Sequence, residues 1–162
     1  LCDAALPERE GPPGLFHGLT ALFEALESEY WGAVYVMWEI ALLRELGFAL
    51  VLDRCAAGGD PATLAYVSPK TGRAVSEAAG VIYKDRLLAL PAFLKPVFSP
   101  PVSACAGDVP PASGGGRGGA EDVLKGLKLT GYFLEHWVFV QASNGVPAAR
   151  RQFQERFEKS LF

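Results

Sequence analysis

The chain is poor in the residues that usually carry chemistry. Its 162 residues include three cysteines, two histidines and one methionine. Cys2, Cys55 and Cys105 are too few and too scattered for a disulfide framework, which fits a reducing cytoplasm. Uninterrupted apolar runs are also missing. Glu39, Arg44 and Glu45 break the longest apolar stretch, so no membrane-spanning segment is expected. The opening LCDAALPERE has neither the basic start nor the apolar centre of a signal peptide. A strong charge of one sign is absent as well: 15 basic against 18 acidic residues leave a net charge of −3. That balance gives no global attraction to nucleic acid or an anionic membrane. Neither G-x-S-x-G, nor H-E-x-x-H, nor G-x-x-x-x-G-K-[ST] occurs. SGGGRGG follows no strand-like run and reads as linker rather than as a phosphate-binding loop.

What is present is apolar and mostly of helical period. Half of the residues are apolar and 20% are charged, the balance of a globular chain with a real core. The first residue is Leu1 and the one methionine is Met37, so the chain is expected to be a fragment of a longer protein. Leu15, Leu19, Leu22, Phe23 and Leu26 recur at helical spacing and predict a helix over about 13–28. Trp31, Val34, Tyr35, Trp38, Leu42 and Leu46 predict a second helix, stopped by Gly47, at the centre of the core. The period then changes. LAYVS and GRAVS read as a hairpin about PKT, over 64–76. SEAAG reads as a helical turn opened by Ser76 and closed by Gly80, and DRLLALPAFL as a helix broken at Pro91. Residues 99–119, rich in Pro, Gly, Ser and Ala, read as a flexible insertion. A further helix carries Val123, Leu124, Leu127, Leu129, Phe133, Leu134 and Trp137, and PAARRQFQERFEKSLF gives a last one. The fold class expected is mainly α, a helical bundle-like domain with a small β-hairpin insert.

Few residues qualify as site candidates. Glu39 is the odd polar residue of an apolar helix. It reads as a buried carboxylate held by an arginine or by backbone donors, with a catalytic role as the alternative. Cys55 could form a nucleophile pair with His17 or His136, although both histidines read as lying at solvated helix edges. This leaves a hydrolase as one alternative function and an adaptor that binds only protein or peptide partners as another.

YVMWEIALLRELGFALVLDRC, then LAYVSPKTGRAVSEAAG, then LKLTGYFLEHWV resemble the C-terminal region of the DNA repair protein RecO family, most of all its alphaproteobacterial members. DAALPERE near the start fits the same group. The resemblance covers 1–98 and about 120–158, and it implies one helical domain over 1–162 with a zinc-ribbon-like insert at 51–80. It also implies an N-terminal OB-fold that this chain lacks. Many members carry C-x-x-C twice in the insert. The corresponding positions here are Cys55, Gly58, Ser76 and Ala79, so the insert is expected to be a degenerate ribbon without zinc or other cofactor. The implied function is non-enzymatic: a cytoplasmic, nucleoid-associated mediator that anneals strands and, with RecR, loads RecA onto single strands coated by SSB. Single-stranded DNA would be held mainly by the OB-fold. The SSB tail, acidic with a terminal aromatic, needs cations and an apolar pocket. Arg150, Arg151, Arg156 and Lys159, interleaved with Phe153 and Phe157 and joined by Lys125 and Lys128, are the expected partner-binding residues.

Overall fold

The computed structural model describes residues 1–6, 11–96, 119–140, 142 and 145–161. A short helix, α1 (Cys2–Ala5), precedes α2 (Pro13–Ala25), whose first residue is a proline, placed where a helix has no use for an N–H. α2 packs on α3 (Trp31–Glu45). α3 ends where the sequence predicts. Gly47 takes φ +87°, its N–H donates to the Arg44 carbonyl, and the Phe48 N–H reaches back to the Leu43 carbonyl at 2.8 Å. This paired closure needs a residue that tolerates the left-handed region.

The predicted hairpin forms as β1 (Leu64–Val67) against β2 (Ala74–Ser76), antiparallel, with Val67 opposite Ala74 and a bulge between Leu64 and Tyr66. Ser76 then leads into the single turn α4 (Glu77–Gly80). DRLLALPAFL departs from the predicted broken helix. A 3-10 helix over Val81–Arg86 is followed by a third strand, β3 (Leu88–Ala89), on the other side of β1. A 3-10 turn over Ala92–Leu94 completes the segment. Pro91 disfavours helical backbone in the residue before it. The Leu90 N–H instead donates to the Ala65 carbonyl at 2.9 Å, which extends the sheet rather than a helix.

The expected insertion 99–119 lies outside the described residues except for Gly119, which precedes α5 (Ala120–Phe133). α5 runs on as a wider π turn over Leu134–Val138, marked by the Phe139 N–H bonding the Leu134 carbonyl at 2.8 Å. Pro147 then introduces α6 (Ala148–Lys159). α3 and α5 meet through small residues. A Cβ on Gly126 would stand 2.9 Å from both methyls of Val36, and one on Gly32 would stand 2.7 Å from Val123.

Three buried clusters share α3. Leu43 joins the sheet residues Leu64, Val67 and Ala74 to Leu129 and Phe133 of α5. Trp38 and Leu42 close on Leu15 of α2. Val36 meets Val123 and Leu127 of α5, with Phe153 and Phe157 of α6 packed at the edge. The fold is thus mainly α with a small three-stranded sheet, and Trp38 and Leu42 are core residues as the periodicity predicts.

Candidate partner-binding site

The insert over 51–80, which the resemblance makes ribbon-like, brings Cys55 beside Ser76. Cys55 and Ser76 are both buried, and the Cys55 Sγ accepts the backbone N–H of Ser76 at 3.2 Å and of Ala57 at 3.4 Å. A hydrogen bond with the Ser76 side chain, aided by these N–H groups and that of Gly59, pulls the thiol down to about 7 against the opposing effect of burial. Zinc needs a full donor set. Gly58 and Ala79 have no side-chain donor. Among the described residues no group of three or more His, Cys, Asp or Glu could hold a metal ion. The residues present do not fit zinc. No histidine is among the hydrogen-bond partners of Cys55: His17 Nδ1 and His136 Nδ1 each pair with a carbonyl one turn back, Pro13 and Tyr132 respectively.

The cation–aromatic set predicted on α6 divides three ways. Arg150 is 4% exposed and is no part of a solvated rim. Its Nε donates to Glu39 Oε1, its Nη2 to Glu39 Oε2 at 2.9 Å and to the Leu127 carbonyl at 3.0 Å, and its Nη1 to Gln154 Oε1 at 3.0 Å. Thr130 Oγ1 donates to the same carboxylate, and the Tyr35 ring lies 5.9 Å from the guanidinium carbon. Burial works against the Arg150 charge, but the Glu39 carboxylate outweighs it and raises the guanidinium pKa. Burial and the same carboxylate push the Tyr35 phenol well above its usual range. Glu39 is therefore the buried carboxylate held by an arginine that its apolar surroundings predict.

Phe153 and Phe157 form the second group. Phe153 packs on Trp31 and Tyr35 with centroids at 5.9 and 5.1 Å, and Phe157 on Trp31 at 5.8 Å. Their rings bind α6 to α3 and offer no open pocket for a ligand aromatic. The third group is solvated. Lys125 pairs with Asp122 and Lys128 with Glu158, each at 2.7 Å. Arg151, Arg156 and Lys159 are exposed and have no ion-pair partner among the described residues.

A groove of about 640 Å³ opens between α5, its π turn and the start of α6. Lys128 and Arg151 stand on its walls, Tyr132, His136, Phe139 and Val140 line it, and Arg150 reaches it from below. Tyr132 and His136 are stacked at 4.0 Å and 13°, a flat pair set by the i, i+4 spacing. Val140 is 65% exposed, an apolar side chain left to solvent beside the groove. Glu135 and Glu155 also line the groove, so its rim is mixed in charge. Volume, a few apolar surfaces and flanking cations suit a short peptide end. The sequence reading missed Tyr132, Phe139 and Val140. Within YFLEHWVFV only Val140 is an apolar side chain left exposed, and nothing in the local pattern separates it from its buried neighbours Phe133, Leu134 and Phe139.

Comparisons with known proteins agree on one family. Residues 1–99 match the model described as recombination protein O C terminal. The DNA repair protein RecO of Rhodospirillum centenum is 50% identical over 162 residues, covering 99% of this chain and 58% of that protein. RecO of Caulobacter vibrioides strain NA1000 / CB15N is 46% identical over 158 residues, with coverages of 97% and 58%. RecO of Rhodospirillum rubrum is 41% identical over 165 residues, with coverages of 98% and 59%. The chain spans 58–59% of the length of these three relatives. No solved structure matches.

Proposed function

The chain belongs to the recombination protein O family, and from that premise we propose that it is the helical, partner-binding part of a DNA recombination and repair mediator that works without catalysis. The α5–α6 groove receives the acidic tail of SSB. Lys128 and Arg151 face its carboxylates, while Tyr132 and Val140 receive its terminal aromatic. RecR is a second partner, and the whole mediator works in the cytoplasm on the nucleoid. Single-stranded DNA is held mainly by the OB-fold part of the protein. With a net charge of −3, this chain alone binds free strands poorly. The insert carries no zinc, since one thiol and one hydroxyl stand at positions that need four donors. Among the described residues no helix is long and apolar enough to cross a membrane.

The observation that carries this reading is the groove itself: apolar surfaces and two solvated cations together at the junction of two helices. A labelled SSB tail peptide titrated into the chain should bind in the micromolar range and more weakly as salt rises. A Lys128→Glu/Arg151→Glu variant should lose about tenfold or more in affinity, as expected when central charged contacts are reversed. Equal binding by parent and variant sinks the groove assignment. Arg150→Glu is unsuitable for this purpose, because it would set two carboxylates against each other in the core.

A further inference from the structure

We propose that the outward face of α2 is a second docking surface, which takes a cationic, apolar-faced helical segment of a partner protein. α2 turns Leu15 and Leu22 inward and leaves Phe16 69% and Phe23 62% exposed. These two rings stand two turns apart on one face, and Leu26, 52% exposed, follows within a turn of Phe23. Single exposed apolar residues are ordinary. Two phenylalanines aligned along a regular helix form a stripe of the kind that marks an interface.

The charge around the stripe says what would cover it. Residues 11–30 contain three carboxylates, Glu24, Glu27 and Glu29, and no lysine or arginine. All three are exposed, and none has an ion-pair partner among the described residues. An aromatic stripe with three carboxylates at its C-terminal end, Glu24 on α2 and Glu27 and Glu29 just after it, is complementary to an amphipathic helix with leucine-like residues on one face and lysine or arginine beside them. A second copy docking through the same face would set like charges together. The surface lies on α2, apart from the α5–α6 groove and its mixed charges, so this proposal does not depend on that reading.

The test uses two labelled helical peptides with leucines on one face, one carrying lysines on the other face and one carrying glutamates. Fluorescence anisotropy should show the lysine peptide binding the chain and weakening with salt, while the glutamate peptide binds at least about tenfold less tightly. Phe16→Ser/Phe23→Ser and Glu24→Lys/Glu27→Lys should each weaken the lysine peptide by about tenfold or more. Asp53→Lys/Asp85→Lys, which alters exposed carboxylates elsewhere, should leave it unchanged. Amide shift perturbations in the parent protein should fall on residues 13–30 and provide a reading that needs no variant. The proposal is overturned by equal binding of the two peptides or by perturbations elsewhere. Self-association that is abolished by Phe16→Ser/Phe23→Ser would also overturn it, because the occupant would then be a second copy.

Discussion

Glu39 sits in the sequence as a single acid between apolar runs, AVYVMW before it and IALL after, and the fold answers it with Arg150 from the far end of the chain. Once buried, the two charges are each other's main compensation. Removing one of them strands the other in the core. Arg150→Met or Glu39→Leu alone should therefore cost about 3–5 kcal/mol in chemical denaturation. Glu39→Leu/Arg150→Met together should cost clearly less than the sum of the single changes, because no charge is left unpaired. A double mutant as damaged as that sum would show that hydrogen bonds to Thr130 and Gln154, rather than charge, dominate. Cys55 offers a different residue-scale test. Its thiol titrates near 7 in the folded chain, below its unfolded value near 9. A folded pKa depressed in this way contributes stability that is fully present above the unfolded value and is lost as pH falls through 7. The parent should therefore gain melting temperature over Cys55→Ser as pH rises from about 7 to 9, the window between the two pKa values. A difference that is flat with pH would mean that the thiol has the same pKa folded and unfolded.

At the scale of elements, the α3–α5 contact depends on the absence of side chains. Gly126 admits the Val36 methyls, and Val36 is fully buried with nowhere to move. Alanine at 126 gains about 1 kcal/mol of helix propensity but drives a methyl into a packed core, which costs typically about 1–3 kcal/mol. Gly126→Ala should be net destabilising, and Val36→Ala should recover part of the loss in the same background. If Gly126→Ala raised the melting temperature, the two helices would have to pack less closely than described. α6 shows why a sequence reading places Arg150, Phe153 and Phe157 on the surface while the fold turns them inward. Arg150, Phe153 and Phe157 lie three and four residues apart, the spacing of one helix face, and that face is turned inward onto Trp31, Tyr35 and Glu39. Arg151, on the neighbouring face, is left at the groove. Spacing identified the face, but nothing in the sequence of α6 says which way it turns.

For the whole molecule, α3 is the common wall. Leu43, Trp38 with Leu42, and Val36 place one helix in all three buried clusters. Unfolding should therefore be a single cooperative transition, with aromatic and peptide signals melting together. Trp38→Ala, expected to cost about 3–5 kcal/mol, should lower both signals alike. Two separated transitions would mean that the sheet and the helices have independent cores. The sequence by itself determined the helices, the hairpin, the stop at Gly47 and the family, because period, turn residues and motif order are local properties of the chain. The ELGF…LDRC segment and the lack of a C-x-x-C pair around Cys55 could be read residue by residue. Tertiary structure alone decided that Leu88 and Ala89 extend the sheet, that Arg150 belongs to Glu39 rather than to solvent, and that Tyr132 and His136 line a groove. Each of these depends on what a distant segment brings alongside. The partner of a buried charge, the edge of a strand and the open side of a helix are fixed by segments brought alongside in the fold, 111 residues away for Glu39 and Arg150, not by the residues next to them.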